Sequence, residues 1–325
     1  MEIKGARAHN LRGEKVKLPL GTLIGVCGVS GSGKSTLIID TLGRALVRKL
    51  YTSSFAREPL EPGEYDAIEN APKRALMVDQ SSKGIRSPAI FLGLTKPMQK
   101  IFADTDDAQS FGLDERVLGK RCSACRGLGL IPIDMGFLPR EYVECETCKG
   151  TGYRPEAWDV RFKDVALPEI NAMTLDEVYE LFKDEEQIAG PLKIVRQVGL
   201  GYLVWDQPAV TLSGGEVQRL KITKELRKNA NDKTLYILDE PTVGLHMEDV
   251  ARLIEVLNQL VDAGHTVVVV EHHPHVLASC DWLVELGPGG GPAGGRVIAK
   301  GPPEDVATMN TPTAPYLREV LEAKK

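Results

Sequence analysis

The nine residues GVSGSGKST, positions 28 to 36, constrain the fold more than any other part of the sequence. They fit the pattern GxxxxGK[ST], whose glycines let successive N–H groups face a phosphate at the start of a helix. An apolar β-type run, TLIGVC, precedes them, and a segment of helical composition begins at Lys34. The sequence therefore predicts a phosphate-binding loop, with Lys34 reaching the β- and γ-phosphates of a nucleotide and Ser35 coordinating magnesium.

A second apolar run, TLYILDEPTVGLH at positions 234 to 246, contains two adjacent carboxylates. Because open α/β sheets carry their chemistry at the carboxyl ends of strands, we expect Asp239 to hold magnesium through water and Glu240 to polarise an attacking water. Gly264 is placed to cap the helix that follows, and the next strand, HTVVVVEH, ends at His272. The helix itself is indicated by apolar residues at helical spacing, namely Val250, Leu253, Ile254, Leu257, Leu260 and Val261. This order of elements predicts a parallel sheet with helices on its faces.

Four of the six cysteines form two pairs, Cys122 with Cys125 and Cys145 with Cys148, in the spacing C-x2-C-x19-C-x2-C. This spacing predicts a tetrahedral zinc site of four thiolates. A saturated shell of this kind favours a structural over a catalytic metal, and the glycines after each pair allow backbone N–H groups to face the sulfurs. Incidental thiols or a redox pair are the alternatives. Cys27 and Cys280 lie in apolar strings and are expected in the core.

Composition narrows the class of protein. The chain of 325 residues carries 40 Lys plus Arg and 45 Asp plus Glu, a net charge of −5, so any polyanion must bind to a local basic patch. No apolar run approaches the roughly 20 residues of a membrane span, and no secretory leader is recognisable at Met1. We therefore expect a cytoplasmic protein that does not bind membranes.

The segment TLSGGEVQRL, positions 211 to 220, resembles the signature of the ATP-binding-cassette superfamily. Gln80 and His272 match the Q-loop and the switch histidine of that superfamily in the right order. Ser213 opens a helix predicted to run to about Lys228, whose N-terminus faces phosphate. Since the chain has one phosphate-binding loop and one signature, the resemblance implies a head-to-tail homodimer, or pairing with a second similar cassette, with ATP at the interface. A metal cluster of His272, His273 and His275 is an alternative reading of the histidines.

The resemblance implies a set of residues for each task. The catalytic residues would be Lys34, Gln80, Glu240 and His272. Magnesium would be held by Ser35, Gln80 and Asp239. The nucleotide would be bound by Gly28, Gly31, Ser32, Gly33, Lys34, Ser35, Thr36 and Asp239, and across the dimer by Ser213, Gly214, Gly215 and Glu216.

The segment LIPIDMGFLPREYVEC between the cysteine pairs resembles the zinc-hairpin region in the C-terminal half of the UvrA family, damage-recognition ATPases of bacterial nucleotide excision repair. The resemblance continues through positions 10–37, 198–221, 234–246 and 281–306 and so covers nearly the whole chain. It implies an ATPase that binds damaged duplex DNA as part of an excision nuclease system, with ATP, Mg²⁺ and Zn²⁺ as cofactors. In this family the zinc hairpin helps to probe the duplex while two cassettes form a clamp.

Local charge supports DNA binding only in part. Positions 120 to 163 carry eight basic and six acidic side chains, a net charge of +2 that four zinc-bound thiolates would cancel. Any surface that binds DNA must therefore gather the basic side chains on one side of this segment, away from the acidic ones. Phe137, Leu138 and Tyr142 are expected to pack within the hairpin rather than to touch bases. Further candidates for phosphate contacts are Arg86, Lys96 and Lys100.

The chain also departs from the UvrA pattern. The family's second cassette and the segment that docks its helicase partner are missing, so helicase docking does not carry over. The stretch from Ser81 to Leu94 is shorter than in the family, and His273 stands where Asn is usual. A paralogue for resistance to DNA-binding drugs, a transporter ATPase and a zinc-dependent protein-binding module resembling that of DnaJ-type chaperones are the alternative functions. A natural half-size protein and an expressed half of a longer one are both compatible with the sequence.

The order of motifs predicts the architecture. The fold class is α/β, an ATP-binding-cassette P-loop ATPase with an inserted helical signature lobe that carries a four-cysteine zinc hairpin. Because the phosphate-binding loop and Asp239 must meet, residues 1–85 and 232–325 are assigned to the ATP-binding lobe. Residues 86–231 form the signature lobe, with the zinc hairpin at 118–157.

Overall fold

The computed structural model describes residues 1–50, 61–78, 80–119, 121–133, 141–226 and 233–323. The chain divides into two compact units, one of Met1–Lys83 with Ser213–Lys325 and one of Gly84–Leu212. The first unit is discontinuous, like the predicted ATP-binding lobe. Its second junction lies at residue 213 rather than at 232, because the helix that follows the signature packs in the first unit. The functional assignment of the two lobes stays a prediction.

The first unit is built on a six-stranded sheet in the order β13-β12-β3-β11-β10-β5. All neighbours in it are parallel except β12 and β13, which are antiparallel. The strands are β3 (Leu23–Gly28), β5 (Arg74–Val78), β10 (Thr234–Asp239), β11 (Thr266–Val270), β12 (Trp282–Gly287) and β13 (Arg296–Gly301). The parallel arrangement brings the carboxyl ends of β3, β10 and β11 to one edge of the sheet, as the motif order predicts.

A smaller antiparallel sheet in the same unit has the order β2-β1-β4, formed by β1 (Glu2–Lys4), β2 (Val16–Lys17) and β4 (Ala67–Glu69). The helix after the phosphate-binding loop contains a π-helical stretch, Thr36–Gly43, and continues as α1 (Arg44–Leu50). The other helices of the unit are α8 (Gly214–Leu226), α9 (Met247–Asp262), α10 (Pro274–Leu277), α11 (Pro303–Thr308) and α12 (Ala314–Ala323).

The core of the first unit follows from apolar strands buried on both faces. Every residue of β11 is buried, which explains its unbroken valine run. Helix α9 packs its apolar face inward as predicted, except that Val256 is buried whereas Ile254 and Val261 are only half-buried. Gly264 follows this helix with φ +86°, the left-handed conformation expected of a helix cap. Cys27 and Cys280 are both buried, which confirms their assignment to the core.

The second unit consists of short elements. Its helices are α2 (Pro88–Phe91), α3 (Thr95–Ala103), α4 (Asp106–Ser110), α5 (Glu115–Leu118), α6 (Leu175–Leu181) and α7 (Glu186–Gln197). Two antiparallel hairpins accompany them, β6 (Leu130–Ile133) with β7 (Glu141–Glu144) and β8 (Arg161–Phe162) with β9 (Val165–Ala166). Its core includes the rings of Phe102, Phe162 and Phe182, of which the last two stack with centroids 4.8 Å apart.

No helix within the described residues combines the length and the apolar character needed to cross a bilayer. The cytoplasmic location expected from the sequence stays a prediction.

Candidate functional site

The phosphate-binding loop, residues 28–33, leaves the end of β3 and enters the first helix at Lys34. Gly28 has φ +128°, and a methyl group there would overlap the carbonyl oxygen of Leu286 on the neighbouring strand. Gly31 and Gly33 also have positive φ values, +72° and +105°. A turn this tight, closely packed on β12, requires glycine at its first position.

The outer side of this loop rests on a glycine-rich segment, residues 287–295. The side-chain amide of Asn10 donates hydrogen bonds to the carbonyl of Gly31 at 2.9 Å and to that of Gly291 at 3.0 Å. The N–H of Gly295 donates to the carbonyl of Ser32 at 2.9 Å. The loop is therefore held by groups that lie far away in sequence, at position 10 and in residues 287–295.

Lys34 is buried, and its ammonium group donates to the carbonyls of Gly28 and Val29, each at 3.0 Å. Burial lowers the pKa of Lys34, while the nearby carboxylates of Glu240 and Asp239 partly offset that effect. The lysine thus folds back over the loop that would carry phosphate, with the acidic groups at the end of β10 in electrostatic range.

Asp239 is the last residue of β10, and Glu240 follows it directly. One oxygen of Asp239, Oδ1, is buried and has no hydrogen-bond partner among the described residues. Burial raises the pKa of Asp239, and the negative charge of Glu240 raises it further. Both effects favour a cation at this position, because a buried acceptor with no donor and two adjacent acids are stabilised by positive charge. The donor set of this site therefore fits a divalent metal ion.

Glu240 and His272 lie next to each other at the edge of the sheet. The Nε2 atom of His272 is 3.5 Å from Oε1 of Glu240. Burial lowers the pKa of His272, as does the positive charge of Lys34, and both effects favour the neutral ring. Glu240 has φ +43°, an uncommon conformation for a residue other than glycine, and its N–H donates to Val270 at 2.9 Å. The structure thus brings together three of the four residues predicted to be catalytic, Lys34, Glu240 and His272.

The fourth, Gln80, lies beyond the end of β5 and is exposed; Asp79 before it lies outside the described residues. A methyl group added at Gly214 would contact the amide oxygen of Gln80, so the start of α8 lies against this side chain. Ser213 and Glu216 cap the helix reciprocally: the N–H of Ser213 donates to Glu216 at 2.6 Å, and the N–H of Glu216 donates to the Ser213 hydroxyl at 3.3 Å. Glu216 therefore holds the signature turn in shape.

Sequence reasoning missed two buried polar residues beside this site, Gln218 and Glu271. Gln218 is fully buried on α8, and its amide donates to the carbonyl of Val78 at 3.0 Å and to that of Asp239 at 3.2 Å. It thereby links the signature helix to the ends of β5 and β10. The sequence contains little indication of their burial. Gln218 lies in a helix of mostly polar residues and Glu271 follows a valine run, and residues in either place are as often exposed on the protein surface.

The four paired cysteines, all buried, form a cluster in the second unit whose sulfur atoms lie within 4.8 Å of one another. Sγ of Cys122 is 3.9 Å from that of Cys145, and Sγ of Cys125 is 3.6 Å from that of Cys148. In the described part of the chain, this is the one group of three or more His, Cys, Asp or Glu side chains that lie close enough to share a metal ion. The histidines 272, 273 and 275 therefore form no second cluster of this kind. The thiol donor set and its spacing fit zinc.

Backbone N–H groups face two of these sulfurs, as the glycines after each pair predict. Gly129 donates to Sγ of Cys125 at 3.2 Å, and Gly152 donates to Sγ of Cys148 at 3.3 Å. The N–H of Cys148 lowers the pKa of Cys145 to about 7, whereas burial raises the pKa of Cys148 to about 12. Cys145 is therefore the thiol that loses its proton more readily, and a cation is needed to hold the cluster fully ionised.

The strands β6 and β7 project from this cluster with every side chain exposed. Tyr142 is 58% exposed, so the expectation that it packs within the hairpin is wrong, because a two-stranded ribbon has no second layer to cover its faces. Phe137 and Leu138 lie outside the described residues. The three candidate phosphate contacts, Arg86, Lys96 and Lys100, are exposed in the second unit.

Comparisons with known proteins identify the relatives of the chain. No protein-family model matches it. It is 43% identical over 330 residues to UvrABC system protein A of Thermus thermophilus, an alignment that covers 98% of this chain and 34% of that protein. The same protein of Streptococcus mutans is 44% identical over 335 residues, covering 100% of this chain and 35% of the relative. The chain is thus homologous to one part of UvrA.

A solved structure agrees with this result. The crystal structure of UvrA2 from Deinococcus radiodurans matches with a TM-score of 0.84 and 40% identity, over 98% of this chain and 39% of that one. This match confirms the predicted α/β cassette fold and the resemblance to UvrA. The UvrA-like chain spans about a third of the length of the curated relatives that it matches.

Proposed function

We propose that this UvrA-like chain is an ATPase that binds duplex DNA and acts in the recognition of damaged DNA during nucleotide excision repair. The observation that carries the ATPase proposal is the convergence of Lys34, Asp239, Glu240 and His272 at one edge of the parallel sheet. Homology to UvrA along the whole chain, including the cysteine cluster, supports the DNA role over that of a transporter ATPase or a protein-binding module.

In the proposed reaction, the N–H groups of the phosphate-binding loop bind the β- and γ-phosphates of ATP. Lys34 exchanges its two loop carbonyls for phosphate oxygens, which are better partners for a buried ammonium group. Ser35, Gln80 and Asp239 would hold Mg²⁺, which neutralises charge on the phosphates when it is bound. This assignment is supported by Oδ1 of Asp239, which is buried and accepts no hydrogen bond from the described residues.

Glu240 orients the attacking water and accepts its proton. His272 donates its Nε2–H to the γ-phosphate, and that nitrogen starts 3.5 Å from Oε1 of Glu240, beside the attacking water that Glu240 orients. Residues Ser213 to Glu216 of a second cassette would close over the nucleotide, so the complete site needs a dimer. Zinc in the cysteine cluster would tie the two glycine turns together and fix the base of the β6–β7 hairpin for contact with DNA.

The test uses the full chain with Glu240→Gln, which should hold ATP without hydrolysing it. DNA binding is measured with zinc-loaded protein, with and without ATP, at two salt concentrations, on matched duplexes with and without a bulky adduct. Binding that requires ATP, weakens with salt and favours the adduct is the expected result. Lys34→Ala is the matched control, since it should lose both ATP binding and the ATP-dependent part of DNA binding.

Two results would contradict the proposal in different ways. ATP hydrolysis by the unsubstituted chain without DNA binding in any nucleotide state would refute the DNA role of this segment while leaving the ATPase intact. Failure of the unsubstituted chain to bind ATP would refute both.

A further inference from the structure

Glu271 lies between the turn that follows β10 and the turn that follows β11 in the first unit. It follows the last residue of β11 and precedes His272, and only 2% of its surface is exposed. A buried carboxylate needs several donors, because its charge loses most of its hydration. The donors of Glu271 come from two different loops.

Each oxygen of the carboxylate serves one loop. Oε1 accepts from the N–H of Thr242 at 3.0 Å and from its hydroxyl at 2.6 Å. Oε2 accepts from the N–H groups of His272 at 2.7 Å and His273 at 2.9 Å. The single side chain therefore joins the turn after β10 to the turn after β11 through four charge-assisted hydrogen bonds.

The turn after β10 needs such support. Thr242 lies two residues after Glu240, whose φ of +43° is rarely adopted by residues other than glycine. Conformations of this kind persist where surrounding contacts hold them. Glu271 therefore links the turn that carries Glu240 to the turn that carries His272, in addition to the backbone bond from the Glu240 N–H to Val270.

We infer that Glu271 is a positioning residue, which fixes Glu240 and His272 relative to one another for ATP hydrolysis without touching the nucleotide itself. This inference rests on the proposed ATPase function. It assigns to Glu271 an effect on turnover rather than on nucleotide affinity, because the phosphate-binding loop is held separately by Asn10 and the glycine-rich segment.

The informative substitution is Glu271→Gln, which keeps the size of the side chain. An amide has one acceptor oxygen, so whichever way it turns, the backbone N–H of at least one of the two loops faces an NH₂ group and loses its acceptor. We expect kcat for ATP to fall by about tenfold or more, with KM and the affinity for a fluorescent ATP analogue changed by less than about threefold. Thr242→Val removes only the hydroxyl donor and should lower kcat by a smaller factor.

The matched control is Glu285→Gln, which alters another fully buried glutamate of the same unit. Glu285 lies on β12 and accepts from the N–H of Thr313 at 2.9 Å. It should change the thermal midpoint without a selective loss of kcat. Equal kcat in the Glu271→Gln and Glu285→Gln proteins would overturn the inference; if Glu271→Gln does not fold, an unchanged kcat in Thr242→Val would do so.

Crystal structures of the unsubstituted and Glu271→Gln proteins under the same conditions provide a reading that does not depend on activity. We expect the separation of Glu240 and His272 to change by about 1 Å or more. An unchanged separation would overturn the inference. If the unsubstituted protein does not hydrolyse ATP, the proposed function fails instead, and the two crystal structures decide the role of Glu271 alone.

Discussion

Replacing Gly28 by alanine tests how the shape of the phosphate-binding loop depends on the close contact between Gly28 and Leu286 of β12. The new methyl group would overlap the carbonyl oxygen of Leu286 and lie 3.0 Å from the carbonyl carbon. The neighbouring strand must therefore move, and the pairing of Gly28 with Leu286 in the sheet is disturbed. Gly21 provides the matched control, because its φ is also positive, +73°, but a methyl group there has nothing within 4 Å.

Both substitutions introduce backbone strain, and only Gly28→Ala adds steric overlap. Gly21→Ala should cost only the left-handed conformation, about 1 to 2 kcal/mol. Gly28→Ala is strained at least as much, because its φ of +128° lies outside the left-handed helical region. It adds about 1 to 3 kcal/mol for overpacking and about 1 kcal/mol for a weakened sheet hydrogen bond, so it should be less stable than the control by at least about 2 kcal/mol.

Urea unfolding, monitored by circular dichroism, measures the difference in stability. Titration with a fluorescent ATP analogue measures the affinity of the loop for nucleotide. Gly28→Ala should bind the analogue at least about tenfold more weakly, since the first N–H groups of the loop move with the strand, whereas Gly21→Ala should bind normally. Equal stability and equal affinity in the two variants would refute the argument that the contact with Leu286 shapes the loop.

Two further predictions concern the metal cluster and the signature helix. The affinity of the cysteine cluster for zinc should rise with pH. Below pH 7 each bound zinc should release about one more proton, because Cys145, with a pKa of about 7, is then protonated before the metal binds. Competition with a chromophoric chelator between about pH 6 and pH 9 measures the slope of affinity against pH, and an unchanged slope across pH 7 would contradict the prediction. Gln218→Met should cost about 1 to 3 kcal/mol in urea, because the carbonyls of Val78 and Asp239 lose their donor, while removal of Oε1, which has no partner among the described residues, offsets part of that cost. Gln218→Ala should cost about 2 to 4 kcal/mol more for the cavity it leaves. Equal losses in the two Gln218 variants would show that the hydrogen bonds, not the packing, dominate.

The signature helix shows what the sequence did not reveal. The sequence places it in the lobe of residues 86–231, whereas the contacts of α8 group it with the first unit. Its buried residues include Gln218, Arg219 and Thr223, so polar residues lie on the inward face and apolar periodicity could not reveal that face. Gln218 is buried because it finds carbonyls 140 and 21 residues away in the chain, and no local pattern reports such partners.

Sequence alone determined those features whose residues are neighbours in the chain. Three short motifs each predict a ligand from residues within a few positions, because the spacing of donors along the backbone already limits what they can bind. They are the glycine pattern from Gly28 to Gly33, the carboxylate pair Asp239 and Glu240, and the paired cysteines. The order of strands and helices around them was sufficient to predict a parallel sheet with its chemistry at one edge.

Only the tertiary structure decided how these parts support one another. It brought His272 to within 3.5 Å of Glu240, placed Glu271 between their loops, and rested the phosphate-binding loop on residues 287–295. These relations depend on side chains and carbonyls that meet after the sheet has formed. A buried carboxylate such as Glu271 is stable only when its donors arrive from both loops at once, so its role exists in the folded protein and not in any segment of the chain.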